Sequence, residues 1–151
     1  MASPNDSTDF IQNFIDEIYN VLNNYKDFIG CNIIEKTDDA YIARFPAITI
    51  DLDSFSEEWK EIPRRKVLIG NFSISYFFGN INDKNMRQGV RSGMGKICNV
   101  FREQWTLNGY CPQLGCHITS AIPYVFMKDS NIVAGAVITL QAKKVIDVVL
   151  S

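Results

Sequence analysis

The chain has 151 residues, of which 46% are hydrophobic, and 15 Lys and Arg against 17 Asp and Glu leave a formal net charge of −2 at pH 7. This length predicts one domain with its own core, and the charge argues against a nucleic-acid-binding protein, which needs a basic face. No apolar run approaches the ~20 residues of a membrane span and the N-terminus is unlike a secretory signal, so the sequence indicates a soluble protein of a reducing cytoplasm.

The first predicted element is an amphipathic helix. Residues 1–6 are expected to be frayed, and apolar side chains then recur at helical spacing from Ser7 to Tyr25. Lys26 to Gly30 is expected to end this helix. Cys31 to Ile34 is expected to be a short strand or a connector, followed by a turn at Asp38-Asp39.

Two strands with a proline kink between them come next. The first is predicted at Tyr41 to Arg44, and the second, from Ala47 to Asp53, alternates apolar residues with a wet face that carries Asp51 and Asp53. The following mixed-charge stretch, Ser54 to Lys66, is predicted to be a long loop. Loops of this length are often functional, so the loop is either a solvated excursion or a contact segment.

The middle of the chain predicts a long strand followed by a long helix. Phe72, Ile74, Tyr76 and Phe78 are spaced by two and share one face, until Phe77 breaks the alternation. Gly79 to Asp83 is predicted to supply a polar turn and the helix cap. An apolar stripe from Met86 to Trp105 then predicts a helix of ~24 residues, or ~36 Å. Asn108-Gly109 is expected to stop it.

The C-terminal part predicts a β-hairpin. His117 to Met127 reads as a strand in which Pro123 indicates a sheet edge or a bulge, and 128–131 reads as the turn. Ile132 to Val145 is the last predicted strand, and 146–151 is an apolar extension. The chain is therefore predicted to be one α+β domain over 1–151, a two-layer sandwich with a mainly antiparallel sheet of four to five strands and two helices on one face.

No catalytic constellation is apparent, and the chain is not expected to be an enzyme or to need a cofactor or metal. Cys111, Cys116 and His117 lack the second ligand pair of a structural zinc site, so buried or free thiols are favoured. The glycines at 89, 93 and 95 resemble a phosphate loop only superficially, and close helix packing is the stronger interpretation. Asp51 and Asp53 are better explained as a solvated acidic face, or an acidic ring in an oligomer, than as a cation site.

The order of these elements resembles the tail terminator family of tailed bacteriophages, also described as minor tail protein U-like or tail completion proteins. The resemblance extends from about Asp9 to Val145. It is carried by the N-terminal helix, the strand entry Phe45-Pro46-Ala47-Ile48, the charged loop, the strand ending in Phe77-Phe78-Gly79, the long helix and the C-terminal hairpin. The chain departs from the family in its arginine-bearing helix and extended C-terminus.

This resemblance implies a non-enzymatic virion protein of the tail or neck, assembled in the host cytoplasm. It would form a hexameric ring that caps the tail tube protein, stops polymerisation and meets the head–tail connector, while DNA passes through the lumen without specific binding. Residues on the acidic strand, the charged loop and the apolar tail are the predicted subunit or tube contacts. They are Asp51, Asp53, Phe55, Glu57, Glu58, Trp59, Arg64, Arg65, Val148, Val149 and Leu150.

Two alternatives stay open at this point. One is a head–tail connector or stopper protein of the same fold, which would also form a ring. The other is a small-ligand-binding α+β domain with a pocket lined by Tyr76, Phe78 and Trp105. The few polar groups expected beside these aromatic residues argue against the second alternative.

Overall fold

The computed structural model describes residues 7–36, 44–61, 65–81, 84–128 and 130–147. These residues form three helices and five strands. The helices are α1 (Ser7–Asn24), α2 (Lys26–Ile29) and α3 (Met86–Glu103). The strands are β1 (Ile33–Glu35), β2 (Ala47–Glu61), β3 (Arg65–Asn80), β4 (Cys116–Lys128) and β5 (Asn131–Asp147).

The five strands form one sheet in the order β1-β2-β3-β5-β4. Only β1 and β2 are parallel, and the other neighbours are antiparallel. Helices α1 and α3 pack on the same face of this sheet, α1 over β1 and β2 and α3 over β3, β5 and β4. The predicted two-layer α+β sandwich is therefore confirmed. Pro123 lies in the edge strand β4, as expected for a residue that cannot donate a ladder hydrogen bond.

The core lies between the helices and the strand faces that point toward them. On β3, Phe72, Ile74 and Tyr76 are buried in this core, as the period-2 pattern predicted. They meet Phe14 and other apolar side chains from α1 and the stripe of α3. Phe14 lies 5.8 Å from the Phe72 ring centroid. Burial of these large side chains is the main stabilising term of the fold.

Two glycines set how closely α3 approaches the sheet. A Cβ atom on Gly93 would overlap the ring of Tyr76, and a Cβ atom on Gly89 would overlap the ring of Phe78. The predicted role of these residues in close packing is confirmed. Gly95 differs, because no atom lies within 4 Å of the position its Cβ would take.

The prediction of a long loop from Ser54 to Lys66 is wrong. Strand β2 continues to Glu61 and β3 begins at Arg65, so these residues form a long β-hairpin, which we call the arm. Two bulges, one at Asp53 and one at Lys60, interrupt the register between the two strands. The alternation that identifies a strand is therefore broken in the sequence, and both faces of the arm carry polar residues.

Several element boundaries also differ from the prediction. Helix α3 begins at Met86 and ends at Glu103, which makes it 18 residues long and leaves Trp105 in the following turn. Strand β5 runs to Asp147, two residues into the predicted extension. The predicted frayed residues 1–6, the turn at 38–39 and residues 41–43 of the strand predicted at 41–44 lie outside the described residues, and Arg44 is not in a strand. The helix cap predicted within residues 79–83 is wrong, because the N-cap position of α3 is Asn85, whose side chain makes no capping hydrogen bond.

The face of the sheet that points away from the helices carries a second apolar cluster. Ala47, Phe77 and Val133 are buried there, and Phe126 packs on Phe77 with 4.5 Å between ring centroids. Phe77 therefore lies on the polar face of β3, where it is the apolar residue that interrupts the polar series, as the sequence pattern indicated. The next residue, Phe78, forms a bulge, because Phe77 and Gly79 pair with adjacent residues of β5 and Phe78 is left without a register partner there.

Candidate interaction surfaces

The predicted acidic residues lie along β2. All four have exposed side chains: Asp51, Asp53, Glu57 and Glu58. Beyond Thr49, where pairing with β1 ends, β2 has no second strand partner among the described residues. Ser73 donates a 2.6 Å hydrogen bond from Oγ to Asp53 Oδ2, which fixes this carboxylate at the bulge. The exposed acidic side chains that the sequence predicted on this strand therefore lie along an edge of the sheet.

The arm presents its charged and aromatic side chains in cross-strand pairs. Trp59 is 60% exposed and lies opposite Lys66, whose Nζ is 4.5 Å from the indole ring centroid. Lys66 Nζ is also 3.6 Å from Glu57 Oε2. Arg65 Nε lies 3.4 Å from Asp147 Oδ1 on β5. These pairs are solvent-exposed, so each contributes at most about 1 kcal/mol to stability.

Phe55 anchors the base of the arm. The bulge at Asp53 turns Phe55 toward the helix face, where its half-buried ring packs against the core. The same register places Trp59 on that face, and Glu58 on the opposite face. Four of the predicted contact residues lie outside the described residues: Arg64, Val148, Val149 and Leu150.

A groove opens between the N-terminal half of α3 and the end of the β4–β5 hairpin. Its volume is about 480 Å³, and Val90, Val125 and Ala134 line it with apolar surface. Arg87 and Arg91, one helical turn apart, are exposed at its rim. Neither guanidinium has a hydrogen bond or ion pair with another described residue. The groove therefore combines an apolar floor with positive charge that no acidic side chain of the described residues pairs.

An exposed apolar patch adjoins this groove. It is formed by five large side chains of the β4–β5 hairpin, each between 50% and 78% exposed. They are Ile122, Tyr124, Val125, Met127 and Ile132. Val125, Met127 and Ile132 lie on the helix face of the hairpin and Ile122 and Tyr124 on the opposite face, so apolar side chains are exposed on both sides of this sheet edge. Exposed apolar surface at a sheet edge indicates a binding surface. We call these five residues the hairpin patch.

The groove and the hairpin patch were not predicted from the sequence. A signal was present, because Ile122 to Met127 is a run of six apolar residues in a strand that Pro123 places at an edge. A strand with apolar residues on both faces needs cover on both faces. Arg87 and Arg91 gave no comparable signal, since exposed arginines are usual on a helix.

The aromatic residues proposed as a ligand pocket do not come together. Gly93 and Gly89 of α3 cover Tyr76 and Phe78, whereas Trp105 lines a different groove of about 450 Å³ with Cys98 and His117. The predicted pocket is therefore wrong.

The cysteines are interior or partly interior thiols. Cys31, Cys111 and Cys116 are buried and Cys98 is half-buried. Burial raises the pKa of Cys111 and of Cys116 to about 12, so both are protonated thiols at neutral pH. His117 is exposed and follows Cys116 in β4, so the two side chains point to opposite faces of the sheet.

In the described part of the chain no three His, Cys, Asp or Glu side chains are placed to hold a metal ion together. None of the described helices is long and apolar enough to cross a membrane. Comparison with known proteins finds no matching family and no matching curated protein.

Proposed function

We propose that the protein is a structural component of a phage tail, a tail terminator that forms a ring on the tail tube, stops tube polymerisation and joins the tail to the head connector. The hairpin patch carries this proposal. A monomer would leave five large apolar side chains in water, and such a patch is typical of surfaces that other protein chains cover.

The distribution of charge supports a ring. A ring is a closed heterologous assembly, in which each subunit uses two different and complementary surfaces. The acidic edge of β2 and the arginine-rimmed groove beside β4 lie on opposite edges of one sheet. Subunits placed side by side would bring opposite charges together, which favours association and fixes its direction.

The experiment measures both assembly and capping. Purified protein is examined by light scattering and negative-stain microscopy, alone and with a polymerising tail tube protein. The expected result is a ring-shaped oligomer and tubes of limited length with a ring at one end. A protein that stays monomeric and leaves tube length unchanged would contradict the proposal. The double variant Tyr124→Ser/Met127→Ser is expected to lose both activities, and Leu114→Ser, at an exposed residue outside the hairpin patch, is the matched control.

Two other functions are separated by the same assay. A head–tail connector or stopper of the same fold would form rings that bind a purified connector but leave tube length unchanged. A small-ligand-binding protein is favoured by the volume and apolar floor of the groove beside α3. It would be monomeric and would unfold at a higher temperature when an anionic amphiphile is added.

A further inference from the structure

We infer that the arm of one subunit docks in the groove beside α3 of a second copy, with Trp59 in the groove and Glu57, on the same face of the strand, against Arg87 and Arg91. This inference rests on the proposed function for one point, that the partner is another copy of this chain. It assigns the two surfaces that form the joint between subunits.

The chemistry of the groove defines its occupant. An apolar floor formed by Val90, Val125 and Ala134 favours an aromatic or aliphatic side chain. Two arginines at the rim favour an occupant with carboxylates beside that side chain, and arginine also stacks on aromatic rings. The groove therefore fits an aromatic residue flanked by acidic residues on an exposed segment.

The arm carries this combination. Trp59 is 60% exposed, and Glu57 and Glu58 precede it directly in β2. Glu57 lies on the same face of the strand as Trp59, whereas Glu58 points to the opposite face. The 3.6 Å pair of Glu57 with Lys66 is at the surface, so docking can exchange Lys66 for the guanidinium groups of the groove. Tryptophan and arginine are the residues that most often dominate the binding energy of protein interfaces.

The joint cannot form within one chain. Trp59 lies opposite Lys66 at one end of β3, whereas the groove lies beside Gly135, which pairs with Phe77 at the other end. At ~3.3 Å per residue, the eleven steps from Lys66 to Phe77 separate the two surfaces by roughly 36 Å. The contact must therefore join different subunits head to tail, which is the arrangement that a ring requires.

Tryptophan fluorescence tests the inference directly. The chain has two tryptophans, so Trp105→Phe leaves Trp59 as the only indole reporter. The expected result is an emission maximum that moves to shorter wavelength as protein concentration drives assembly. Emission that stays that of a water-exposed indole in the assembled protein would overturn the inference and leave the proposed ring intact.

Variants then separate the two halves of the joint. Trp59→Ala removes the arm's anchor and Arg87→Glu/Arg91→Glu blocks the groove, and each is expected to weaken association at least ~30-fold. All three residues are exposed, so the variants should fold, which circular dichroism verifies. The controls are Phe28→Ala, another exposed aromatic residue, and Arg102→Glu on the same helix, and both should assemble normally.

Mixing gives the sharpest outcome. The arm variant keeps an intact groove and the groove variant keeps an intact arm, so an equimolar mixture should form a one-to-one dimer that grows no further. Assembly of either variant like the parent protein, or a mixture that stays monomeric, would overturn the inference. If the unmodified chain does not associate with itself or with tube protein, the proposed function fails as well.

Discussion

Replacing Gly93 with alanine tests how closely α3 packs on the sheet. The new methyl group would overlap the ring of Tyr76, which is only 2% exposed and belongs to the buried core. Gly95, two residues later in the same helix, has no atom within 4 Å of the position of its Cβ. Comparing alanine substitutions at Gly93 and Gly95 therefore separates the effect of packing against the sheet from the intrinsic preference of a helix for alanine over glycine.

The expected magnitudes follow from two opposing terms. Alanine stabilises a helix interior by about 0.5–1 kcal/mol relative to glycine, and this gain applies at both positions. Overpacking a filled core costs about 1–3 kcal/mol, and this cost applies only at Gly93. Gly95→Ala should therefore stabilise the protein and Gly93→Ala should destabilise it. Gly89→Ala should fall between them, because Phe78 is only half-buried and can shift.

Urea unfolding followed by circular dichroism gives the free energies of unfolding. All variants are compared at one protein concentration, because association would add to the apparent stability. The difference between Gly95→Ala and Gly93→Ala cancels the helix term and should equal the overpacking cost of about 1–3 kcal/mol. An equal increase in the unfolding midpoint for both variants would refute close packing at Gly93.

Three further predictions concern buried and partly buried polar groups. At pH 8 a thiol reagent should modify the half-buried Cys98 before the buried Cys111, with the sites identified by mass spectrometry. Because burial raises the pKa of Cys111 to about 12 from its ordinary value near 9, the folded state holds its proton where the unfolded state has lost it. The stability that the buried thiol contributes is therefore complete below about pH 9, and it falls by ~1.4 kcal/mol per pH unit between about pH 9 and 12. Urea unfolding midpoints measured across this range should show the loss of stability, and Cys111→Ala should reduce it. Lys144 Nζ donates a 2.7 Å hydrogen bond to the Tyr110 carbonyl and lies 4.1 Å from the centroid of the Tyr110 ring. Lys144→Met should therefore lower the free energy of unfolding by about 1–2 kcal/mol. Lys143→Met, on the other face of the sheet, should change it by less than ~0.5 kcal/mol.

The elements that were predictable from sequence are those with one buried and one wet face. In β3, Phe72 and Ile74 alternate with Asn71 and Ser73, and the structure buries the first pair and leaves the second pair partly exposed. Helix α1 follows the same rule with a period of 3.6 residues. In both cases the pattern arises because burial of one face dictates residue type there.

The arm was not predictable in this way, because it has no apolar face that needs cover. Glu57 and Trp59 share one side of it, and Ser56 and Glu58 lie on the other. The sequence of such a solvent-exposed hairpin resembles that of a loop. Burial no longer dictates the alternation in such a segment, and its pairing partner β3 becomes evident only when the fold is known.

The candidate surfaces were predictable only in part. Asp51 and Asp53 were placed on the wet face of a strand, which the structure bears out as an exposed edge. The groove depends on where the axis of α3 crosses β5 and β4, which is a long-range property. Arg87 and Arg91 acquire their position beside Val125 from that crossing, and no local pattern encodes it.

The bulge at Asp53 also bears on how relatives of this chain can be found. The bulged residue has no partner in β3, and its neighbours Leu52 and Ser54 already pair with the adjacent residues Phe72 and Asn71. Deleting Asp53 would leave every later pair in the arm unchanged and Trp59 on the same side of the sheet. Homologues can therefore gain or lose a residue here without refolding, and an alignment that forbids gaps within strands would misalign everything from Ser54 onward.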